Sequence, residues 1–193
     1  MAIFCKEIKT NLLGALEVAL FMRAGPKRFG NTYDEALRSF LIPAFLFPAT
    51  LLSFYLSGAP EIIGAQENTL IILLSVRVLF IWALFFGAVA WILKHVDHMN
   101  HFYRFVIATN WISLPATVAF FPVLAFILSG AYSWAEIYPF TIFLVFYAYA
   151  MIAYAAAYAL VIPWELAMFI TMIAMVVNDS TLNLMSWIGR FLA

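Results

Sequence analysis

Long apolar runs separated by short polar breaks make up the chain after residue 38. The first run covers 39–57 and is closed by Gly58 and Pro60. The second covers 69–93. A polar break at 94–104 carries all three histidines, and a third run follows at 105–128. Residues 139–177 then contain a single charge, Glu165. That stretch is too long for one crossing, since about 20 apolar residues span a bilayer. Pro163 divides it into 139–160 and 163–177, because proline is tolerated in the first turn of a helix. Residues 178–193 read as a polar turn and a small amphipathic tail with Trp187.

The first 38 residues differ. Positions 12–22 are apolar except for Glu17 but too few to cross. Lys6 and Lys9 ahead of them have a signal-peptide look, while Glu17 and Arg23 argue against cleavage. On a helical wheel Phe4, Ile8, Leu12 and Leu16 share one face, largely opposite Lys6, Glu7, Thr10 and Glu17. This is the pattern of a helix lying in the membrane surface over 3–22. Gly25-Pro26 and Gly30 break it. Asp34 and Glu35 suit the first turn of the next helix, where the backbone dipole favours acids.

The expected fold is therefore an all-α, polytopic transmembrane helical bundle of about five spans plus an N-terminal amphipathic helix. Its parts are a cytoplasmic segment 1–38, a five-helix domain 39–178 and a short non-cytoplasmic tail 179–193. Composition agrees: 66% of residues are hydrophobic and 10% charged, against about 25% charged in soluble domains. Mean hydropathy is +1.00. Net charge is zero, so no global field points to nucleic acid or another charged partner. The single cysteine, Cys5, excludes an internal disulfide and a multi-cysteine metal site; it reads as a surface thiol or a lipidation point.

Charge placement orients the chain. Six of the ten Lys and Arg lie in 1–38, and Lys94 and Arg104 flank the histidine loop. The breaks before 69 and before 139 carry none. Lys and Arg collect on the cytoplasmic side, so the N-terminus and the histidine loop are expected there and the C-terminus opposite. The expected location is a bacterial inner membrane, the expected partners are the lipid bilayer, other membrane proteins or a second copy, and no cofactor is implied. The basic N-terminal residues suit anionic lipid. The echo of Pro48-Ala49-Thr50 in Pro115-Ala116-Thr117, and of 56–59 in 128–131, leaves open a parallel repeat of spans.

Few residues could carry chemistry. Arg77 lies ~12 Å inside the second span at about 1.5 Å rise per residue. An arginine at mid-span costs about 2.5–3.5 kcal/mol, so Arg77 must face the bundle, a wet cavity or headgroups. Asp179 is its expected partner, with Glu67, Glu136 and Asn178 also in reach; a ligand-binding cation and a structural pair both remain open. Glu165 follows Pro163, where a helix start stabilises a carboxylate; a proton relay is the alternative. His95, Asp97, His98 and His101 form the one constellation with metal-ligand character, since imidazole suits several transition metals. The competing reading is a polar turn at the headgroups. Pro43, Pro48, Pro115 and Pro122 should bend spans one and three. The alanines of 148–159 let neighbours approach span four closely, and Tyr147, Tyr154 and Tyr158 share a stripe that could line a pocket or bond to its neighbours. No phosphate loop or catalytic triad is present, so no enzyme activity is expected.

Arg38-Ser39-Phe40, Pro43 and Pro48 entering span one, with Ser113-Leu114-Pro115 and Phe121-Pro122 in span three, resemble the Yip family of membrane proteins. The likeness covers about residues 34–178. It implies a cytoplasmic N-terminus, five closely spaced helices and a non-enzymatic role in membrane organisation or trafficking. It names no catalytic residues. The acidic-aromatic-glycine segment of the eukaryotic members is missing, which sets aside their Rab-GTPase partnership and makes short bacterial relatives the closer comparison. The alternative function is a small transporter or channel using Arg77 and Glu165.

Overall fold

The computed structural model describes residues 2–56 and 67–192. The break with Gly58, Pro60 and Glu61 lies outside them, as do the side chains of Cys5 and Glu67. The described residues form helices α1 (Ala2–Ala19), α2 (Gly25–Arg28), α3 (Tyr33–Ser39), α4 (Leu41–Leu56), α5 (Glu67–His95), α6 (Phe102–Leu128), α7 (Trp134–Ala159) and α8 (Trp164–Leu192), with a 3₁₀ turn at Met99–His101. The protein is an all-α bundle. Five stretches are long and apolar enough to cross a membrane: Tyr33–Leu52, Ile71–His95, Met99–Leu128, Trp134–Ala159 and Trp164–Gly189. It is an integral, multi-pass membrane protein.

Local chemistry explains where the helices begin and break. Thr32 caps α3, accepting from the Glu35 amide at 3.3 Å, with Asp34 and Glu35 in the first turn as expected. The chain bends at Phe40 between α3 and α4. Pro43 is the cause: it has no N–H to offer the Ser39 carbonyl, so the helix restarts with Pro43 in its first turn. Ser133 and Glu136 make a reciprocal capping box, which starts α7 at Trp134 and places Pro139 inside the helix. The start expected at 139 is thus one and a half turns late.

The largest departure is at the C-terminus. Residues 178–193 do not begin with a turn: α8 runs unbroken to Leu192. No glycine or proline interrupts 164–188. The polar residues bond within the helix, Thr181 to the Asn178 carbonyl at 3.0 Å and Asn183 to Asp179 at 3.1 Å. Ala167, Ile170, Ala174, Thr181 and Met185 are buried at helical spacing, so one face continues through the polar patch.

Helix α6 is the hub, packing on α1, α3, α4 and α7, while α5 packs chiefly on α8. Helix α7 is the most buried span, its Ala153, Ala155, Ala156 and Ala157 closed in by neighbours. Phe85, Phe86 and Phe105 pack edge to face or tilted at the centre, with ring centroids 5.3–6.4 Å apart. Large side chains such as Phe45, Ile72 and Leu79 point outward, where lipid covers them.

The N-terminal helix docks on α6 and α7 with its small and polar side. Asn11, Gly14, Ala15 and Val18 are buried, while Ile8, Leu12 and Leu16 of the expected apolar face point outward. Helices α1 and α2 touch through glycines. A methyl on Gly25 would lie 2.8 Å from the Val18 nitrogen and 2.9 Å from the Gly14 carbonyl oxygen. Glu17 and Arg28 form a two-bond ion pair at 2.6 Å across the same contact. The Arg28 hydrogen bonds hold the Glu17 carboxyl below its ordinary range, and the same bonds raise Arg28.

Candidate functional site, a cavity at mid-bundle

Five helices contribute to the wall of a cavity of about 280 Å³. Ile81, Trp82, Phe85 and Phe86 come from α5, Ile112 and Ala116 from α6, and Pro43 from α4. These make most of the wall apolar. Polar groups enter from two sides. Thr109, Asn110 and Ser113 of α6 form one; Tyr149 of α7 and Asn178 of α8 form the other. Among the described residues no Asp or Glu lines the cavity.

The α6 group is held for exposure to the cavity. Asn110 is 3% exposed and donates from Nδ2 to Ser39 Oγ at 2.8 Å; Ser39 in turn donates to the Ala36 carbonyl at 2.7 Å. This chain fixes the amide in the cavity wall. Thr50, Thr141 and Thr171 return their hydroxyls to the carbonyl four residues earlier. Thr109 does not, and its buried Oγ1 has no hydrogen-bond partner among the described residues. A buried hydroxyl without a partner is unfavourable by about 1–3 kcal/mol, which a ligand group would offset.

The opposite group is organised by Arg77. Its side chain is buried, as an intramembrane cation requires. Nη2 donates to the Asn178 carbonyl at 3.0 Å and to Asn178 Oδ1 at 2.7 Å. Tyr149 is within electrostatic reach of Arg77 and its hydroxyl faces Asn178. A second space, an open groove of about 410 Å³, is lined by Tyr149, Met175, Asn178, Asp179 and Ser180. Tyr149 and Asn178 therefore stand between groove and cavity and line both.

The other expected residues lie elsewhere. Asp179 is next to Asn178 but exposed on the groove, accepting from Asn183. Glu165 is exposed in the first turn of α8, ~20 Å along the helix from Asn178. His95 ends α5, with Nδ1 2.7 Å from the Trp91 carbonyl oxygen and its ring 4.4 Å from the Trp91 ring centroid. The chain then turns through Asp97 with φ of 56°, so His95, His98 and His101 do not share one helix. Among the described residues no three His, Cys, Asp or Glu side chains gather in a metal-holding group. The tyrosine stripe meets α1: Tyr147 donates to the Ala19 carbonyl at 2.6 Å, and Phe21 packs on Tyr147 and Tyr154.

Sequence reading passed over Thr109 and Asn110, and named Ser113 only for the family resemblance. The signal was there: three polar residues in five positions inside an otherwise apolar run. It also passed over Asn31, which donates to the Asn100 carbonyl at 2.6 Å and accepts from the Arg104 amide at 3.0 Å, capping α6 from outside its own chain segment.

No family model, curated protein or solved structure matches this chain.

Proposed function

We propose that this protein acts without catalysis, holding a small neutral or anionic amphiphile in its mid-bundle cavity as part of membrane organisation. The observation that carries the reading is the threshold of Tyr149 and Asn178, which line both the inner cavity and the outer groove while Arg77 holds Asn178. Apolar and aromatic walls with a few convergent polar groups are the usual make-up of a ligand site. The lack of a lining carboxylate among the described residues disfavours a cation. The volume, near 280 Å³, suits a small molecule. The likeness of the span plan to the Yip family supports a role in membrane organisation. The basic N-terminal segment supports a cytoplasmic N-terminus. The adjacency of groove and cavity, which share Tyr149 and Asn178, supports a second reading, passage of the same class of molecule as a small transporter.

The test uses three probes with one tail: octanol, octanoate and octylamine. In lipid nanodiscs octanol and octanoate should raise the melting temperature and octylamine should not. Ala148→Phe, which fills the cavity, should remove the effect. Equal shifts from all three probes, or shifts that survive Ala148→Phe, would reject the cavity as the site.

A further inference from the structure

A third space lies beside α1. It is a groove of about 270 Å³ between α1, α4 and α6, walled by Ile8, Leu12, Leu41, Phe45, Trp111 and Leu114. Glu7 and Arg38 line the same groove. Arg38 Nη2 donates to Glu7 Oε2 at 2.9 Å and Nε donates to Oε1 at 3.3 Å. The Glu7 side chain is 16% exposed and that of Arg38 43%.

The arrangement has the two parts of a phospholipid site. The walls are apolar, and Phe45 and Leu41 are 81% and 63% exposed on the membrane-facing side of α4. The polar part sits at Arg38, near the start of the first crossing stretch, at the depth of headgroups. Arg38 uses only its Nε–Nη2 edge for Glu7; Nη1 has no hydrogen-bond partner among the described residues. A guanidinium edge of this kind matches a phosphate. Each Glu7 oxygen accepts one bond from Arg38 and keeps a lone pair for another donor.

The charges decide which headgroup fits. Glu7 and Arg38 sum to zero, and Asp34 and Glu35 are within electrostatic reach of Arg38. A headgroup with net negative charge adds repulsion to that set. A zwitterion does not: its phosphate meets Arg38 and its ammonium meets Glu7, so charges alternate. A primary ammonium donates hydrogen bonds to Glu7, whereas a quaternary choline has no N–H to donate.

We propose that this groove binds one phosphatidylethanolamine molecule, with its phosphate on Arg38, its ammonium on Glu7 and an acyl chain along Leu41 and Phe45. The site is separate from the mid-bundle cavity and does not depend on it. It also differs from the general attraction of the basic N-terminal residues to anionic lipid.

The experiment is native mass spectrometry of the full chain released from nanodiscs that contain phosphatidylethanolamine, phosphatidylcholine and phosphatidylglycerol with identical acyl chains. One phosphatidylethanolamine should be retained, about tenfold more tightly than phosphatidylcholine, as one charge-assisted hydrogen bond of about 1.4 kcal/mol supplies. Glu7→Gln should bring the two to parity. Because that change also removes the ion pair, the double variant Glu7→Arg, Arg38→Glu keeps a pair with reversed polarity. It should fold and lose the preference, since the phosphate is tied to the acyl chains and cannot exchange places with the ammonium. Preference for phosphatidylglycerol, retention of all three within about twofold, or an unchanged preference in the reversed pair would overturn the proposal.

Discussion

Arg77 gives one terminal nitrogen to two oxygens of a single residue, the carbonyl and side-chain amide of Asn178. The contact joins α5 to α8. Polar contacts between membrane helices couple by about 0.6–1.7 kcal/mol. A double-mutant cycle of Arg77→Leu with Asn178→Leu should give coupling in that range, measured by unfolding in mild detergent. The same cycle with Asp179→Leu should give less, because Asp179 faces the groove and bonds to Asn183; stronger coupling to Asp179 would return the pair expected from the sequence. Glu17 supplies the pH dependence. Its folded carboxyl lies below the ordinary value of 4.5 because Arg28 bonds to it. A group depressed in the folded state stabilises at pH above its unfolded value and loses that contribution as pH falls through its folded value. The melting temperature should therefore drop below about pH 4.3, and Glu17→Gln should flatten that part of the profile. A profile unchanged by Glu17→Gln would remove the pair from the acid response.

At the scale of elements, α1 and α2 behave as a docked unit and not as a loose surface arm. Their contact needs bare backbone at Gly25 and is close at Gly14. Gly25→Ala places a methyl 2.8 Å from a backbone nitrogen, which no side-chain rotation relieves. It should destabilise the unit by about 1–3 kcal/mol, the usual cost of overpacking. Limited proteolysis within 20–31 is the measurement: the variant should be cut faster than the parent while the spans stay protected. Equal rates would show that the backbone adjusts without loss. The outward stripe of Ile8, Leu12 and Leu16 has its counterpart in the pattern read from the sequence, with lipid on that side. What the wheel did not show is that Asn11, Gly14 and Ala15 would face protein. In a bilayer, small and polar faces are the ones that pack, the reverse of the rule for soluble helices.

Across the whole molecule, five stretches are long and apolar enough to cross, and an odd number of crossings would put the two ends of the chain on opposite sides. With Cys5 replaced, a single cysteine at Ala2 should label with an impermeant reagent from the cytoplasmic side and one at Ala193 from the other. Labelling of both from one side would remove a crossing or add one, with 2–19 the first segment to reassign. The cavity and groove belong to this scale too, since each is assembled from at least two helices.

Hydrophobic run length by itself determined the all-helical class and the five stretches long enough to cross. In lipid every backbone amide must find its partner within the segment, so a long apolar run has one stable form. Local chemistry also made some helix starts readable: Asp34 and Glu35 marked α3, and Ser133 with Glu136 marked α7 for anyone who read the capping box. Residues 178–193 showed the limit. Four polar residues in a row resemble a turn, but in α8 they bond along the helix while Thr181 and Met185 keep its buried face. The site was decided only by tertiary structure. Ser39 meets Asn110, and Arg77 meets Asn178, across 71 and 101 positions of sequence. Helical periodicity says which face a residue occupies; it does not say which helix that face will meet. That depends on the packing of small residues in α7 and aromatic residues in α5 and α6, which sets the helix pairs and brings scattered polar groups to one cavity.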